Sequence, residues 1–245
     1  MPRFFISSPK VAGSTLEIEG SDYHHLAHVR RVVPDDILQL VLEGTRHVTA
    51  RVTVVEKEKI IAEIIEEDNS LPVEGASGRE EVTVHLYMSL LKGSNFELAL
   101  KKSVEAGVSA ITPVVTERTI PKIEGKQKSK EDRWRKIIEE AAKQSYRRSL
   151  PVLHEALSLD DIPSMQSGET GIIAHLAGGE HLRDVLGQST GHVFHLLVGP
   201  EGGFSEEEVA RVVQKGWKSA WFGFSQLRAE TAAIVLPALI IYEKG

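Results

Sequence analysis

The segment from Val193 to Glu208 constrains the fold more than any other part of the chain. An apolar run, Val193–Val198, is followed by Gly199-Pro200-Glu201-Gly202-Gly203-Phe204 and then by Ser205. The run has the length and the β-branched content of a buried strand. Ser205 with Glu208 forms a capping box, which predicts a helix that starts there. A strand, a glycine-rich turn and a helix in succession are how open α/β sheets build a ligand crevice at a strand end.

A second loop of the same design follows further along the chain. From Trp221 to Ala233 the sequence again gives a strand end, a loop containing Gly223 and the start of a helix. One such loop is often only a connecting turn, but two on successive strand ends can converge on one small molecule. A third strand end, residues 171–176, precedes Gly178-Gly179. It predicts another wall of the same crevice, with an ordinary turn as the alternative.

Composition limits the class of protein without identifying it. The 245 residues, 41% hydrophobic and 26% charged, suffice for one large domain or two smaller ones with real cores. The lack of cysteine excludes disulfides and thiolate metal sites. No signal-peptide pattern opens the chain, and the longest apolar stretch, residues 232–242, is too short to span a bilayer. We therefore expect a cytoplasmic protein that is not inserted in a membrane.

The distribution of charge is more informative than its sum. The formal net charge of −6 argues mildly against a nucleic-acid partner. Between Arg118 and Arg148, however, eleven Lys and Arg residues stand against five acidic ones. A run of charge is usually a solvated face, but an acidic protein with one basic band can also contact RNA phosphates through that band.

The pattern of apolar residues predicts two domains, residues 1–71 and 72–245. Up to residue 71, short alternating segments at 37–41, 48–54 and 60–65 predict a small antiparallel barrel or sandwich. Residues 66–81 are polar, with Pro and Gly, and are typical of a linker. Beyond them strands and helices alternate, which predicts an α/β domain with a mostly parallel sheet. The predicted strands are 82–91, 108–115, 171–176, 193–198 and 220–222, and the predicted helices are 95–106, closed by Gly107, and 131–145.

Several ordered motifs across the chain resemble those of one family. They are Arg3-Phe4-Phe5, His24 to Arg31, Leu91-Lys92-Gly93, Lys102 to Val108, Pro113 to Arg118, Glu140 to Arg147 with Pro151, Gly199 to Ser205, and Leu227 to Ala233. In this order and spacing they closely resemble the RsmE-type 16S ribosomal RNA (uracil-N3)-methyltransferases of the SPOUT class.

The resemblance implies a fold and a reaction. The fold is α/β, with an N-terminal PUA-like RNA-binding β-barrel and a C-terminal SPOUT domain whose trefoil knot spans about 171–245, an exception to the rule that chains are not knotted. The implied reaction is methylation of N3 of one uridine in small-subunit 16S ribosomal RNA, free or within the small ribosomal subunit. S-adenosyl-L-methionine is the implied cofactor and a homodimer the implied assembly, with no metal.

The resemblance also implies roles for individual residues. Arg228 would stabilise charge that develops on the uracil, with Glu201 or Glu230 shaping the pocket; a structural pair between Arg228 and a glutamate is the alternative. The expected RNA contacts are Arg3, His25, Arg31, Lys92, Arg118 and Arg147. For Arg31, Lys92, Arg118 and Arg147 the alternative is a surface ion pair. The expected cofactor contacts are Leu176, Ala177, Val198, Gly199, Pro200, Glu201, Gly202, Gly203, Phe222, Gly223, Gln226, Leu227, Arg228, Thr231 and Ala232.

Some positions depart from the family pattern and keep a second function open. Ser225 and Gln226 replace a common arginine and an aliphatic residue, and Pro237 lies inside the expected last helix, where it should kink or loosen a turn. Arg30 replaces a leucine and Asp35 a glycine. The alternative is a catalytically silent RNA-binding or assembly factor that keeps the same fold. His24, His25 and His28 have a spacing that could suit a metal, but packing or RNA contact is the preferred interpretation.

Overall fold

The protein consists of two compact units. The computed structural model describes residues 3–6, 8–42, 46–67, 82–120, 127–145, 147, 149–223 and 225–245. One unit comprises residues 1–77 with 142–150, and the other comprises 78–141 with 151–245. The predicted domain boundary at 71/72 lies outside the described residues.

The first unit is built on a six-stranded sheet with one short helix. This helix, α1 Gly20–His24, is followed by a π-helical turn, His25–Val29. The elements are β1 Arg3–Ile6, β2 Lys10–Ala12, β3 Thr15–Glu19, α1 Gly20–His24, β4 Ile37–Leu42, β5 Arg46–Val55 and β6 Lys59–Glu67.

The sheet curls into a half-barrel with the strand order β1-β4-β5-β6-β3-β2. Among the pairings of the described residues in this sheet, that of β1 with β4 is parallel. The other pairings are antiparallel, as the alternating sequence predicts. The three predicted strands are present and each is longer than predicted. Val48, Ala50 and Val52 point inward and are buried, which is the alternation expected of a sheet with one wet face. Among the described residues no pairing between β1 and β2 closes the barrel.

The connection between the π-helical turn and β4 contains two left-handed residues. Arg31 has φ 56° and Asp35 has φ 73°, and both are exposed. A residue with a Cβ is strained in this region, although Asp tolerates it better than most. The glycine expected from the family pattern at position 35 is therefore explained by the backbone, and Asp35 meets the same requirement at some cost.

The second unit is an α/β fold. It contains a 3₁₀ turn at Leu159–Asp161. Its elements are β7 Thr83–Ser89, α2 Asn95–Ala106, β8 Ala110–Val115, α3 Gln127–Gln144, β9 Val152–Leu153, β10 Leu157–Ser158, β11 Glu169–Ala174, β12 Glu180–His181, α4 Leu182–Gln188, β13 Val193–Val198, α5 Glu206–Gln214, β14 Lys218–Trp221 and α6 Ala229–Lys244. The last turn of α3 is counted with the first unit.

The sheet of the second unit is parallel at every described pairing. Its order is β10-β8-β7-β13-β11-β14-β12, with β9 also paired to β8. The predicted parallel sheet is confirmed, as are the bounds of β13 and α2. Gly107 closes α2 with φ 112°, and a Cβ there would lie 2.8 Å from Ile241 of α6. Glycine is thus required both by the backbone and by the helix packed against it.

Several predicted bounds needed correction. The helix predicted at 131–145 begins at Gln127, four residues earlier. The prediction missed this start because Gln-Lys-Ser-Lys is polar and gives no apolar periodicity. The strand predicted at 171–176 is Glu169–Ala174, so Leu176 lies in the following loop. The strand predicted at 220–222 is Lys218–Trp221. Strand ends are less certain than strand cores because loop residues adjoining a buried run can also be apolar.

The last helix continues through its proline. α6 extends from Ala229 to Lys244 with Pro237 buried inside it. Pro237 has no N–H for the carbonyl one turn earlier. Packing of α6 against α2, β7 and β13 compensates for this loss, since Ala233 and Ile240 are fully buried on the helix. Tertiary packing rather than propensity holds such a helix.

A layer of aromatic and histidine side chains covers one region of the second sheet. The ring of His85 stacks on that of Tyr87 at 4.1 Å and lies 5.6 Å from that of His195. Its Nε2 lies 2.8 Å from Thr112 Oγ1. Burial, with nearby His195 and His154, lowers the pKa of His85 to about 3. Burial likewise raises the pKa of Tyr87 to about 12 and lowers that of His195.

This layer predicts that acid destabilises the second unit. Below the ordinary histidine pKa of about 6.5 the unfolded chain takes up a proton at His85, whereas the folded chain does not until about pH 3. The contribution of His85 is therefore complete above pH 6.5 and is lost as the pH falls toward 3. At pH 5 the loss is about 2 kcal/mol. Replacement of His85 by Gln, which keeps an amide near Thr112, should reduce the difference in unfolding free energy between pH 7.5 and pH 5 by that amount.

Urea denaturation followed by tryptophan fluorescence measures this difference, because Trp134, Trp217 and Trp221 all belong to the second unit. His24→Gln, at an exposed position of the first unit, is the matched control and should leave the difference unchanged. An equal pH dependence in His85→Gln and the wild type would contradict the prediction.

Candidate functional site

A cavity of about 790 Å³ opens in the second unit at the carboxyl ends of β11, β13 and β14. These strands are adjacent in the sheet, in the order β13-β11-β14. On its other side, β13 pairs with β7. The strand that follows β7 in the chain, β8, lies on the side of β7 away from β13. Ligand crevices in open parallel sheets form where the strand order changes direction in this way. Here the reversal lies between β7 and β13, and the cavity lies beside it, at the ends of β13, β11 and β14.

The turn after β13 forms the first wall, and its conformation depends on glycine. Gly203 has φ 66° and donates its N–H to the carbonyl of Pro200 at 2.9 Å. A Cβ on Gly199 would lie 2.9 Å from the ring of Phe204. The ring of Phe204 thus folds back over the start of its own turn. Bare backbone at residues 199 and 203 is what allows so tight a loop.

Helix α5 begins with the predicted capping box, which is confirmed. Ser205 Oγ accepts the N–H of Glu208 at 3.2 Å, and Glu208 Oε2 accepts the N–H of Ser205 at 2.9 Å. The other oxygen of Glu208 accepts the N–H of Glu117, from the segment after β8, also at 2.9 Å. Glu208 is only 1% exposed, and each of its oxygens accepts one backbone N–H at the junction between turn, helix and neighbouring strand.

Two further residues, Lys92 and Arg118, hold the turn through hydrogen bonds. The backbone N–H of Lys92 donates to Glu201 Oε1 at 2.9 Å. Arg118 Nη1 donates to the carbonyl of Gly202 at 2.7 Å and to that of Phe204 at 3.4 Å. The segments that follow β7 and β8 therefore both contact the turn that follows β13.

The loop after β14 and the start of α6 form the second wall. Gly223 has φ 63°, and Phe224 lies outside the described residues. Arg228 is the N-cap residue of α6 in an extended conformation, and its carbonyl accepts the N–H of Ala232 at 2.8 Å. Among the described residues the guanidinium of Arg228 has no ion pair or hydrogen bond. The predicted alternative, a structural pair with a glutamate, is therefore absent from that part of the chain.

The end of β11 supplies the third wall. His175 donates its backbone N–H to Ala220 at 2.9 Å and so continues the pairing with β14 for one residue. Leu176, 48% exposed, follows in the loop. Gly178 and Gly179 are left-handed, and the carbonyl of Gly178 accepts a hydrogen bond from Ser219 Oγ at 3.1 Å. The double glycine is thus a turn that is fixed to β14.

The cavity brings together most of the residues predicted as cofactor contacts. Of these, all line it except Gly223 and Thr231, which lie next to lining residues. The predicted catalytic residues Arg228, Glu201 and Glu230 also line it. Their roles stay predictions.

Other residues that line the cavity were not predicted from the sequence. Asn95 comes from the start of α2, whereas Ile172, Ala174 and His175 belong to the end of β11. The rule that ligands bind at strand ends would have identified His175, which directly precedes the predicted Leu176. Asn95 gives no such signal because α2 is distant in the chain. The remaining lining residues outside the predicted cofactor set are Arg118, Leu182, Phe204, Ala220, Trp221, Ser225, Ala229, Glu230 and Leu236.

The predicted RNA contacts are divided between the two units. Lys92 and Arg118 belong to the second unit and are exposed. In the first unit, Arg31 is exposed and His25 is half-buried, with its ring 6.1 Å from that of Phe4. Two more members of the set, Arg3 and Arg147, are also counted with the first unit; the side chain of Arg3 lies outside the described residues.

The basic band is mixed in sign where the structure describes it. On α3, Arg133 pairs with Glu97 at 2.6 Å. Lys128, Asp132 and Lys136 are all exposed and recur at the helical spacing that places them on one face. The excess of positive charge in the sequence is thus not a continuous positive face in the described part of this helix.

The structure gives no support to a metal at the three neighbouring histidines. The rings of His24 and His28 lie 4.7 Å apart, and that of His28 meets Tyr23 edge-on at 5.7 Å. Within the described ranges no group of three or more His, Asp or Glu side chains is arranged to hold a metal ion. No helix in those ranges is long and apolar enough to cross a bilayer.

Comparison with known protein families assigns a domain family to part of each unit. The family model for the RNA methyltransferase domain matches residues 78–241, and the family model for the RNA methyltransferase PUA domain matches residues 18–65. The chain is 30% identical to ribosomal RNA small subunit methyltransferase E of Aquifex aeolicus over 94% of this chain and 95% of that protein. It is 28% identical to the protein of the same name in Bacillus subtilis, over 99% and 97%.

A solved structure agrees with the same assignment. Ribosomal RNA small subunit methyltransferase E of Neisseria gonorrhoeae, bound to S-adenosyl methionine, superposes with a TM-score of 0.85 at 30% identity and covers 98% of this chain and 96% of its own. The resemblance drawn from the motifs is confirmed. The chain belongs to the RNA methyltransferase family, with a PUA domain preceding the methyltransferase domain.

Proposed function

We propose that this protein transfers a methyl group from S-adenosyl-L-methionine to N3 of one uridine in small-subunit 16S ribosomal RNA. The observation that carries the proposal is the convergence of three strand-end loops on one cavity of about 790 Å³. A relative with the same fold is described as bound to S-adenosyl methionine. The relatives in Aquifex aeolicus and Bacillus subtilis are named as small-subunit methyltransferases.

The residues of the cavity suit this cofactor. Its volume lies within the range of small-molecule sites, roughly 300–1,000 Å³. Backbone groups of residues 198–203 and 222–227 are suited to reading the adenine and the ribose, because bare backbone can approach a ligand closely there. Glu201 and Glu230 place carboxylates among the lining residues, which favours a positively charged sulfonium. When bound, the cofactor supplies an electrophilic methyl group, so the protein's task is alignment.

The protein must also make N3 of uracil a nucleophile. N3 carries a proton, and its loss leaves negative charge spread over the two carbonyl oxygens of the ring. A cation close to those oxygens lowers the barrier. Arg228 fits this role because it lines the cavity and its guanidinium is unpaired within the described residues. The base that takes the proton is Glu201 or Glu230; Glu230 is the less constrained, because Glu201 already accepts the N–H of Lys92.

We also propose the domain organisation that the family resemblance implies. Residues 1–71 would form the RNA-binding PUA-like domain and 72–245 the catalytic domain, with the trefoil knot in about 171–245. The knot is what the family resemblance implies; within the sheet, β14 lies beyond β11 and α6 packs against α2, β7 and β13. In the cytoplasm the target would be 16S ribosomal RNA or the small ribosomal subunit. Of the six predicted RNA contacts, we retain Arg3, His25, Arg31, Lys92 and Arg147 in this proposal. The sixth, Arg118, donates hydrogen bonds to main-chain carbonyls of the turn 199–204.

A catalytically silent assembly factor is the weaker candidate. Such a protein has no need for a formed cofactor cavity or an unpaired Arg228. Ser225 and Gln226, the departures that kept this alternative open, both line the cavity without closing it. Pro237 leaves α6 continuous. The geometry therefore supports the enzyme.

Methyl transfer tests the proposed function directly. Small ribosomal subunits from cells that lack this protein should accept label from S-adenosyl-L-methionine at N3 of a single uridine, mapped by mass spectrometry of nuclease fragments. Free 16S ribosomal RNA, assayed in parallel, identifies the form of the substrate. If a protein that binds the cofactor labels neither substrate, the silent factor becomes the better description.

Arg228→Ala tests the catalytic assignment. Loss of a group that stabilises charge only in the transition state should lower kcat by about 100-fold or more, while the Kd for S-adenosyl-L-methionine, measured by calorimetry, changes by less than about threefold. Arg183→Ala, at an exposed arginine of α4 outside the cavity, is the matched control and should behave as wild type. Equal losses of turnover and affinity would show that Arg228 serves binding instead.

The homodimer is a separate prediction. Two large apolar side chains, Leu98 on α2 and Tyr242 on α6, are 47% and 84% exposed on helices that pack together, and we propose that a second copy covers them. Sedimentation equilibrium should give twice the 27.0 kDa of one chain. The mass of one chain at micromolar concentration would exclude a stable dimer.

A further inference from the structure

The side chain of Arg118 makes contacts within the protein that binding to RNA would not require. It follows β8 and lines the cavity beside the turn formed by residues 199–204. One nitrogen of its guanidinium, Nη1, donates to two carbonyls of that turn, those of Gly202 at 2.7 Å and Phe204 at 3.4 Å. The aliphatic part of the side chain also lies against the turn, because a Cβ on Gly202 would be 3.4 Å from Arg118 Cδ.

The charge of Arg118 has no other use among the described residues. No ion pair involves it there. The adjacent Glu117, which could have neutralised it, instead accepts hydrogen bonds from Ser205 Oγ at 3.1 Å and from Arg211 Nη2 at 3.3 Å. Glu117 and Arg118 therefore both contact residues of the segment 202–211, one through side chains and the other through main-chain carbonyls.

A turn of this composition needs such support. Residues 199–203 include three glycines, which lose more conformational freedom on ordering than any other residue. Within the turn the described hydrogen bond is that from Gly203 to the carbonyl of Pro200. A ligand that is read by backbone groups binds more tightly when those groups already have the right orientation. Hydrogen bonds from a charged donor are stronger than neutral ones, so Arg118 is well suited to fix two of the carbonyls.

We propose that Arg118 is a positioning residue for the cofactor: it holds the turn 199–204 in the conformation that binds S-adenosyl-L-methionine, before any RNA arrives. This inference rests on the proposed function, since it assumes that the cavity binds this cofactor. It differs from the RNA contact predicted from the sequence in one measurable respect. A positioning residue affects cofactor affinity in the absence of RNA, whereas an RNA contact does not.

Arg118→Met is the decisive variant because it keeps the aliphatic contact with Gly202 and removes every donor. Calorimetry without RNA should show a Kd for S-adenosyl-L-methionine about 10- to 30-fold weaker than wild type. In methyl-transfer assays the KM for the cofactor should rise by a similar factor, while kcat at saturating cofactor stays within about threefold. An unchanged thermal unfolding midpoint separates this effect from general loss of structure.

Arg118→Lys provides the second comparison. Lysine keeps the positive charge that an RNA phosphate would require but lacks the planar fork that reaches two carbonyls. It should recover only part of the cofactor affinity lost in Arg118→Met. Arg183→Ala, the control used above for Arg228, should bind the cofactor as wild type does.

The outcomes are distinguishable. Cofactor affinity in Arg118→Met within about twofold of wild type would overturn the inference, and weaker RNA binding in the same variant would then identify Arg118 as an RNA contact. A kcat loss at saturating cofactor as large as the loss of affinity would also overturn it. Failure of the wild type to bind S-adenosyl-L-methionine would instead overturn the proposed function, and the inference with it.

Discussion

The buried carboxylate of Glu208 is the interaction on which the candidate site depends. Its two oxygens accept the N–H of Ser205, at the start of α5, and that of Glu117, after β8. A carboxylate that is 1% exposed is costly unless protein donors replace its water. Because each of its oxygens has a backbone donor, the helix cap, the glycine turn before it and the neighbouring strand end form one unit. The contacts of Arg118 and Lys92 with the turn act on a backbone whose far end is already fixed.

The rest of the site follows from the parallel sheet. Parallel strands all end at the same edge, so β11, β13 and β14 deliver their loops to one place although they are separated in the chain. The loops can then remain short and rich in glycine, because position comes from the strands and not from contacts within the loops. Charged side chains enter the cavity from helix and loop termini, Arg228 from α6 and Glu201 from the turn after β13. Precise placement and chemical reactivity thus come from different parts of the fold.

Sequence reasoning reached those parts of the structure that local patterns determine. Three elements are as predicted: the strand Val193–Val198, helix α2 with Gly107, and the capping box at Ser205. Each depends on residues that are close together in the chain. The sequence did not predict that Asn95 lines the cavity, or that Arg118 donates hydrogen bonds to the turn after β13. Both depend on which strands become neighbours, and periodicity within one segment does not carry that information. Pro237 differs for another reason: packing on three elements retains a helix that local propensity would interrupt.

The position of α6 has a consequence for the order in which the molecule is made. The cavity is lined by residues from Asn95 to Leu236, and its final wall, residues 229–236, is synthesised after every strand of the sheet. On the ribosome, a nascent chain can therefore assemble the first unit and most of the second sheet while the ligand site is still open on one side. Affinity for a small molecule would then appear abruptly, when α6 emerges and covers β7 and β13. Cofactor binding would in this way distinguish chains in which α6 is in place from those in which it is not.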